Sequence, residues 1–350
     1  MFESLPTTLA QFYEQVLTQS LASIKLNRHA DNFDFIRFAE NGDAAARTFD
    51  TKRHAFFLDW FFRNRQFLFG AYGNLEDETS RRLYLYLVAF RLGGHLSVRL
   101  PVNFGTPVER EAYLKLQAGS PSELKTSGRF GGLSHFDFVH DGRHYVVDCR
   151  NLEANLLRRQ YFFKRDGVVV APREGDHIID GGACLGDTAA VFSEFAGATG
   201  RVYSFDPVED HLEVLRFNAL QFATKNVTVF PCGLADTEVD APPMRLERYD
   251  AGFQSGAHTV PLRSIDDLVA RGEVERVDFI KLDVEGAEMS VLRGASTSIA
   301  RFRPRLAISL YHKPDDLFEI ILFIRSKFPE YRMYLDHYTI HAEETVLYCV

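Results

Sequence analysis

Apolar and polar positions follow two different styles along the chain. Up to about residue 100 the apolar positions recur with helical spacing. Thr7 to Leu21 is amphipathic, and Lys52 to Phe69 carries an aromatic stripe of Phe56, Phe57, Trp60, Phe61, Phe62, Phe67 and Phe69. Asn74 is expected to cap the next helix, with Asp77 and Glu78 in its first turn, where acids favour the helix dipole. That helix continues through Leu83, Leu87 and Phe90 and stops at Gly93-Gly94. Residues 101–130 are weakly patterned and read as connecting structure. Phe136 to Cys149 alternates around Asp141-Gly142, a hairpin signal, and Leu152 to Gln160 reads as a helix.

From Gly167 short apolar runs alternate with helical patterns. Strands are expected at Val168–Ala171, His177–Asp180, Arg201–Phe205, Val227–Pro231, Phe279–Leu282, Arg305–Leu310, Tyr331–Leu335 and Glu344–Cys349. Helices are expected at Thr188–Ala196, His211–Phe222, Glu288–Gly294 and Leu317–Phe328. Such alternation implies βαβ units and an α/β, doubly wound, mostly parallel sheet, with ligands at the C-terminal ends of the strands. Three regions follow: a mainly helical domain over 1–130, expected to make substrate or oligomer contacts, a hairpin-and-helix connector over 131–164, and an α/β domain over 165–350. The aromatic stripe reads first as the core of the helical region and second as a docking face.

Composition narrows the class. The chain has 350 residues, of which 46% are hydrophobic and 25% charged, enough for a core without disulfides or a structural metal. A net charge of −8 argues against nucleic acid as partner. Cys149, Cys184, Cys232 and Cys349 form no C-x-x-C pair and read as reduced thiols. The first residues lack a signal-peptide pattern, and Ala55 to Phe69 is interrupted by Asp59, Arg63, Asn64, Arg65 and Gln66, so no membrane span is expected and the location is expected to be cytoplasmic.

The chemistry concentrates at strand ends. In His177-Ile-Ile-Asp180-Gly181-Gly182-Ala183-Cys184-Leu185-Gly186-Asp187-Thr188 an apolar strand runs into a glycine-rich turn and then a helix. Small residues allow close backbone approach to a ligand, and a helix N-terminus offers N–H donors. Read as G-x-G-x-x-G it has Ala183 at the second glycine, which leaves a dinucleotide site open. Asp180, directly before the turn, suits an ammonium group and sits badly beside pyrophosphate. Asp206-Pro207 ends the next strand, where an acid accepts hydrogen bonds from ribose hydroxyls. Gly233 and Leu234 follow another strand and are placed to pack on an adenine ring, with Asp236 near its amino group. In Asp278-Phe279-Ile280-Lys281-Leu282-Asp283-Val284-Glu285-Gly286-Ala287-Glu288, acids crowd a buried strand end and must be paired, hydrogen-bonded or functional.

The segments IIDGGACLGDT, YSFDP and DFIKLDVEGAE, with RPRLAISLYHKPDDLFEI, YLDHYT and ETVLYCV in the tail, resemble the FkbM family of S-adenosylmethionine-dependent methyltransferases over about residues 160–350. The resemblance implies a Rossmann-like class I methyltransferase fold of seven strands with an antiparallel last strand. It implies S-adenosylmethionine as cofactor and S-adenosylhomocysteine as product. The methyl acceptor would be a hydroxyl on a sugar, glycan or natural product. Asp206 departs from the longer Glu common in relatives.

In-line methyl transfer draws on alignment of acceptor oxygen, methyl carbon and sulfur. A hydroxyl acceptor also needs a base, for which Asp283, Glu285 and His312 are candidates, with His337 behind them. The cofactor set is Asp180, Gly181, Gly182, Ala183, Gly186, Asp187, Thr188, Asp206, Pro207, Gly233, Leu234 and Asp283. A metal held by an Asp/Glu/His set is not expected to be required. A nicotinamide-dependent oxidoreductase and a non-catalytic binding protein remain the rival readings, and homo-oligomer formation through the N-terminal helices stays open.

Overall fold

The computed structural model describes residues 5–21, 32–34, 49–102, 111, 119–124, 132–150, 152, 155–156, 158–241 and 260–350. It divides into two compact units, Met1–Phe104 with Ser309–Cys349, and Gly105–Ile308 with Val350.

Among the described residues the first unit carries the helices α1 (Leu9–Leu21), α2 (Thr51–Gly73) and α3 (Glu78–Gly93). Asp50 caps α2 by accepting the Arg53 N–H at 2.9 Å. Asp77 caps α3 by accepting the Ser80 N–H at 2.5 Å. The cap expected at Asn74 is corrected: Asn74 closes the C-terminus of α2, its backbone N–H bonded to the Ala71 and Tyr72 carbonyls. The reason is length. Gly70 to Gly73 extends the helix beyond the aromatic stripe, so the polar residue falls at its end. The stripe is split. Trp60 and Phe61 are buried with Phe12 and Tyr72, and the Phe12 and Tyr72 rings lie 5.5 Å apart, whereas Phe56, Phe62 and Phe67 are exposed.

The second unit carries β1 (His177–Gly181), α4 (Asp187–Ala196), β2 (Arg201–Phe205), α5 (Glu209–Gln221), β3 (Val227–Phe230), α6 (Ile265–Ala270), β4 (Phe279–Leu282), α7 (Glu288–Gly294), α8 (Ser296–Phe302) and most of β5 (Arg305–Ser309). The near-continuous apolar runs of β1 and β4 are buried along their whole length, as strands covered on both faces must be. β4 lies parallel to β5 and β1, and β1 to β2, which is parallel to β3.

Ahead of this sheet the hairpin Ser134–His140 and Arg143–Cys149 forms in the expected register, His140 opposite Arg143. Phe136, Tyr145 and Val147 share a core with Ala189 and Ala190 of α4 and Leu212 and Leu215 of α5. The helix expected over Leu152 to Gln160 is corrected: among its described residues only a π turn at Asn155 and Leu156 is helical. The paired strands Val239–Ala241 and Val260–Arg263, and α6 and α8, were too short or too weakly periodic to be read from the sequence.

The chain then returns to the first unit with α9 (Asp316–Lys327) and the antiparallel pair β6 (Met333–His337) and β7 (Thr345–Cys349). Trp60 donates to Asp315 Oδ1 at 2.6 Å, and its ring lies 6.2 Å from that of Phe318 on α9. The strand order is β6-β7-β5-β4-β1-β2-β3, a seven-stranded α/β sheet with a helical N-terminal region, as expected. No helix among the described residues is long and apolar enough to cross a membrane.

Candidate cofactor and active site

Register brings three acidic strand ends together. Gly181 pairs with Phe205 on one side and Leu282 on the other, so the residues following β1, β2 and β4 emerge side by side. The Gly182 and Ala183 N–H groups both reach the Phe205 carbonyl at 3.0 Å, and the Asp283 N–H reaches the Gly181 carbonyl at 3.1 Å. Gly182 has φ +78°, and a Cβ there would lie 1.8 Å from the Asp283 carbonyl oxygen, so only glycine permits this contact between loops. Gly186 starts α4 without a side chain to close its N-terminus.

Asp180 is wholly buried beneath this turn. Thr188 donates to its two oxygens at 3.1 and 3.0 Å, Ser204 donates at 3.4 Å, and the Lys281 ammonium lies 3.3 Å away. Lys281 also donates to the Gly182 carbonyl at 2.7 Å. Burial works against the Lys281 charge, but Asp180, Asp283 and Asp187 outweigh it and hold its pKa above the ordinary lysine value. Asp187 is half-buried and hydrogen-bonded to Asn155; burial raises its pKa despite that bond and the nearby lysine. Tyr161 donates to Asp283 Oδ2 at 2.9 Å, and its ring lies 5.2 Å from the Lys281 nitrogen. Glu285 is exposed on the turn after β4, in the left-handed region at φ 54°.

Asp206, after β2, accepts the Cys184 N–H at 3.0 Å, the Val208 N–H at 2.9 Å and the His211 ring nitrogen Nδ1 at 3.1 Å. Burial opposes charge on His211, yet the neighbouring Cys184 and Asp206 side chains push its pKa up to about 10. Gly233 and Leu234 flank this region: Leu234 Cδ1 lies 3.2 Å from where a side chain would start at Gly181, and Pro207 Cβ lies 3.8 Å from the same point at Gly233. Asp236 is exposed, its N–H bonded to Ser290 Oγ at 3.0 Å.

Asp180 to Thr188, Asp206-Pro207, Gly233-Leu234 and Asp283-Glu285 therefore all fall in the second unit. His312 belongs to the first, half-buried, its ring 4.2 Å from that of Tyr311. His337 is also in the first unit and fully buried, with Nδ1 2.9 Å from Thr345 Oγ1.

Four supporting residues lay outside the sequence reading. Asn155, Tyr161 and His211 touch expected site residues. Asn218 clips the glycine turn to the hairpin, taking the Asp148 N–H and giving its own to the Asp148 and Leu185 carbonyls at 2.8 and 2.7 Å. Asn218 is a single polar position inside an apolar pattern, whereas Asn155, Tyr161 and His211 stand among polar neighbours that no pattern distinguishes.

Residues 180–339 match the model of the methyltransferase FkbM domain. Hexuronic acid methyltransferase AglP of Haloferax volcanii is 29% identical over 130 residues, 36% of this chain and 52% of that protein. AMB antimetabolite synthetase AmbE of Pseudomonas aeruginosa is 25% identical over 220 residues, 49% of this chain and 10% of that protein. The chain thus spans about half of the one curated relative and a tenth of the other. The crystal structure of a methyltransferase FkbM from Methylobacillus flagellatus superposes with a TM-score of 0.53 at 21% identity, covering 83% of this chain and 60% of that one, which shows a shared fold. The matched residues 180–339, which carry most of the seven-stranded sheet, are thus those of a methyltransferase FkbM domain.

Proposed function

We propose that this protein transfers a methyl group from S-adenosylmethionine to a hydroxyl oxygen of a saccharide or natural product. The observation that carries the cofactor assignment is the charge of the crevice. Asp180, Asp187, Asp206 and Asp283 converge on three neighbouring strand ends and outnumber the two cations there, Lys281, engaged inward by Asp180 and the Gly182 carbonyl, and His211, engaged by Asp206. Such a site attracts a ligand with ammonium and sulfonium charges and repels a pyrophosphate. The saccharide acceptor is supported by the likeness to the hexuronic acid methyltransferase.

When bound, the cofactor supplies an electrophilic methyl group on a sulfonium. The chain's own residues do the rest. Asp180 anchors the turn of Gly181, Gly182, Ala183, Gly186, Asp187 and Thr188 and lends it negative charge. Asp206 and Pro207 meet the ribose, and Gly233 and Leu234 the adenine. Asp283 borders the methionine end, its carboxylate aimed by the Tyr161 hydroxyl. The base that takes the acceptor's proton comes from Asp283, Glu285 or His312. Loss of that base is expected to lower turnover by about 10²–10⁴-fold with cofactor affinity kept.

The test has two arms. S-adenosylhomocysteine at about 100 times its Kd should stabilise the protein by about 2.7 kcal/mol, whereas NAD should not. Labelled S-adenosylmethionine should then methylate uronic-acid glycosides or other polyhydroxylated acceptors at oxygen. Stabilisation by NAD alone would favour the oxidoreductase reading. Binding of S-adenosylhomocysteine with no transfer to any oxygen acceptor would overturn O-methylation.

A further inference from the structure

Two arginines of the first unit carry charge without a matching acid. Arg91, on α3, is only 3% exposed, and its guanidinium reaches the Leu87 and Leu310 carbonyls at 3.4 Å each. Burial pushes its pKa down to about 10 against the pull of Tyr84, and Arg53 adds to that push. Arg53, in the first turn of α2, is half-buried. Its Nη2 donates to the Phe90 carbonyl at 3.4 Å, while its Nε and Nη1 make no hydrogen bond among the described residues. Neither guanidinium forms an ion pair among those residues. Gly94, at φ +69°, keeps the second nitrogen open, since a Cβ there would lie 3.2 Å from Arg53 Nη1.

Arg53 lines a cavity of about 710 Å³, within the range of small-molecule sites. Two ring pairs wall it, Phe33 with His95 at 5.1 Å and Phe49 with His54 at 5.0 Å between centroids. The first turn of α2 adds the positive end of a helix dipole. The acids of the cavity are already engaged: Asp50 accepts the Arg53 backbone N–H at 2.9 Å, and Asp34 lies 3.5 Å from His341. These cavity residues all belong to the first unit and fall outside the matched residues 180–339.

A partly buried charge without a partner is costly, and a guanidinium presents its donors as a fork that fits a carboxylate. We infer that this cavity binds a small carboxylate with a ring in its body, the carboxylate seated on the open Nε and Nη1 of Arg53 and the ring packed against the two Phe–His pairs. One open guanidinium matches one negative charge. Asp34 and Asp50 repel a second, which selects a carboxylate over a phosphate dianion. Arg91 adds its positive field. The site needs no cofactor, so the inference goes beyond the methyl-transfer reading and stands apart from it.

Calorimetry on the full chain should use benzoate and glucuronate, with benzamide and glucose as their neutral counterparts and inorganic phosphate as the rival anion. At least one carboxylate should bind once per chain, roughly tenfold or more tighter than its neutral counterpart, the size of a hydrogen bond to a charged group. Arg53→Gln should bring the two to within about twofold. Arg63→Gln, on the same helix but exposed and paired with Asp59, should keep the wild-type ratio.

Binding of neither carboxylate would overturn the inference, as would equal binding of the neutral counterpart or tighter binding of phosphate. So would a ratio that survives in folded Arg53→Gln or disappears in Arg63→Gln. The wild-type comparison needs no variant, so misfolding of Arg53→Gln leaves the test standing. Failure to bind S-adenosylhomocysteine would strike the methyl-transfer reading alone.

Discussion

Of the buried histidines His177, His211 and His337, the last two, in different units, are held in opposite charge states. His337 sits on β6 with Nδ1 against the Thr345 hydroxyl, and burial pushes its pKa down to about 3. His211 feels the same burial, but Cys184 and Asp206 reverse its effect and raise it to about 10. Burial by itself neutralises an imidazole; a fixed anion beside it does the opposite. The contrast extends to the surroundings of each. The first unit fills its interior with rings such as Phe12, Phe61, Tyr72 and Tyr84. Among its described residues the second keeps the buried ion pairs Asp180–Lys281 and Asp206–His211 at the C-terminal ends of its central strands, and Asp176–Arg305 at the opposite ends. Buried ion pairs are weak contributors to stability, so the two at the C-terminal strand ends, beside the acidic crevice, point to a ligand there.

The largest expected effect comes from breaking the deeper pair. Asp180→Ala leaves the Lys281 ammonium buried without its main anion and removes the acceptor of Thr188 and Ser204. A loss of about 3–5 kcal/mol of stability is expected, measured by chemical denaturation. Cofactor affinity should fall by more than about 100-fold, since the turn loses both its anchor and its charge. Unchanged affinity by calorimetry would remove Asp180 from the site.

The histidines make opposite predictions for pH. His337 has a folded pKa depressed below its unfolded value of about 6.5, so on acidification the unfolded chain takes up its proton first. Its contribution is complete above about 6.5 and is lost as the pH falls toward about 3. His211 has a folded pKa raised above the unfolded value. Its contribution is complete below about 6.5 and is lost as the pH rises through about 10. His337→Gln should therefore flatten the acid limb of the stability profile, and His211→Gln the alkaline limb, in denaturation series across both ranges. Equal profiles for the two variants would erase the contrast drawn between the units.

What the sequence disclosed, and what it did not, follows the same physics. The strands and helices after Gly167 were legible because parallel strands covered on both faces must be apolar runs, and their ends came within a few residues of those observed. The acids at those ends stood out because a carboxylate following such a run demands a partner. The partners were hidden. Lys281 was visible inside the motif, but Tyr161 reaches Asp283 across 122 positions, and Asn218 reaches Asp148 across 70. No local pattern encodes contacts at that separation. The mistaken cap at Asn74 has a local cause, a polar residue shared between the end of one helix and the approach to the next. The aromatic stripe was read as core, and Trp60 and Phe61 are core; periodicity could not show that Phe56, Phe62 and Phe67 point outward.

The smallest effect tests whether the aromatic unit serves stability without serving the cofactor. Trp60 is 6% exposed, and its indole N–H donates to Asp315 just before α9. Trp60→Phe keeps a ring against Phe318 but deletes that donor, leaving a half-buried carboxylate oxygen to find water. A cost of about 1–2 kcal/mol is expected, or about 2–4 °C in Tm for each kcal/mol in a unit of this size. The hydrogen bond and ring contacts described for Trp60, to Asp315, Phe57 and Phe318, lie within its own unit. The affinity of the folded variant for S-adenosylhomocysteine should therefore equal that of wild type. A loss of affinity in step with the loss of stability would mean that the aromatic interior supports the cofactor site as well, and the division between the two units would have to be redrawn.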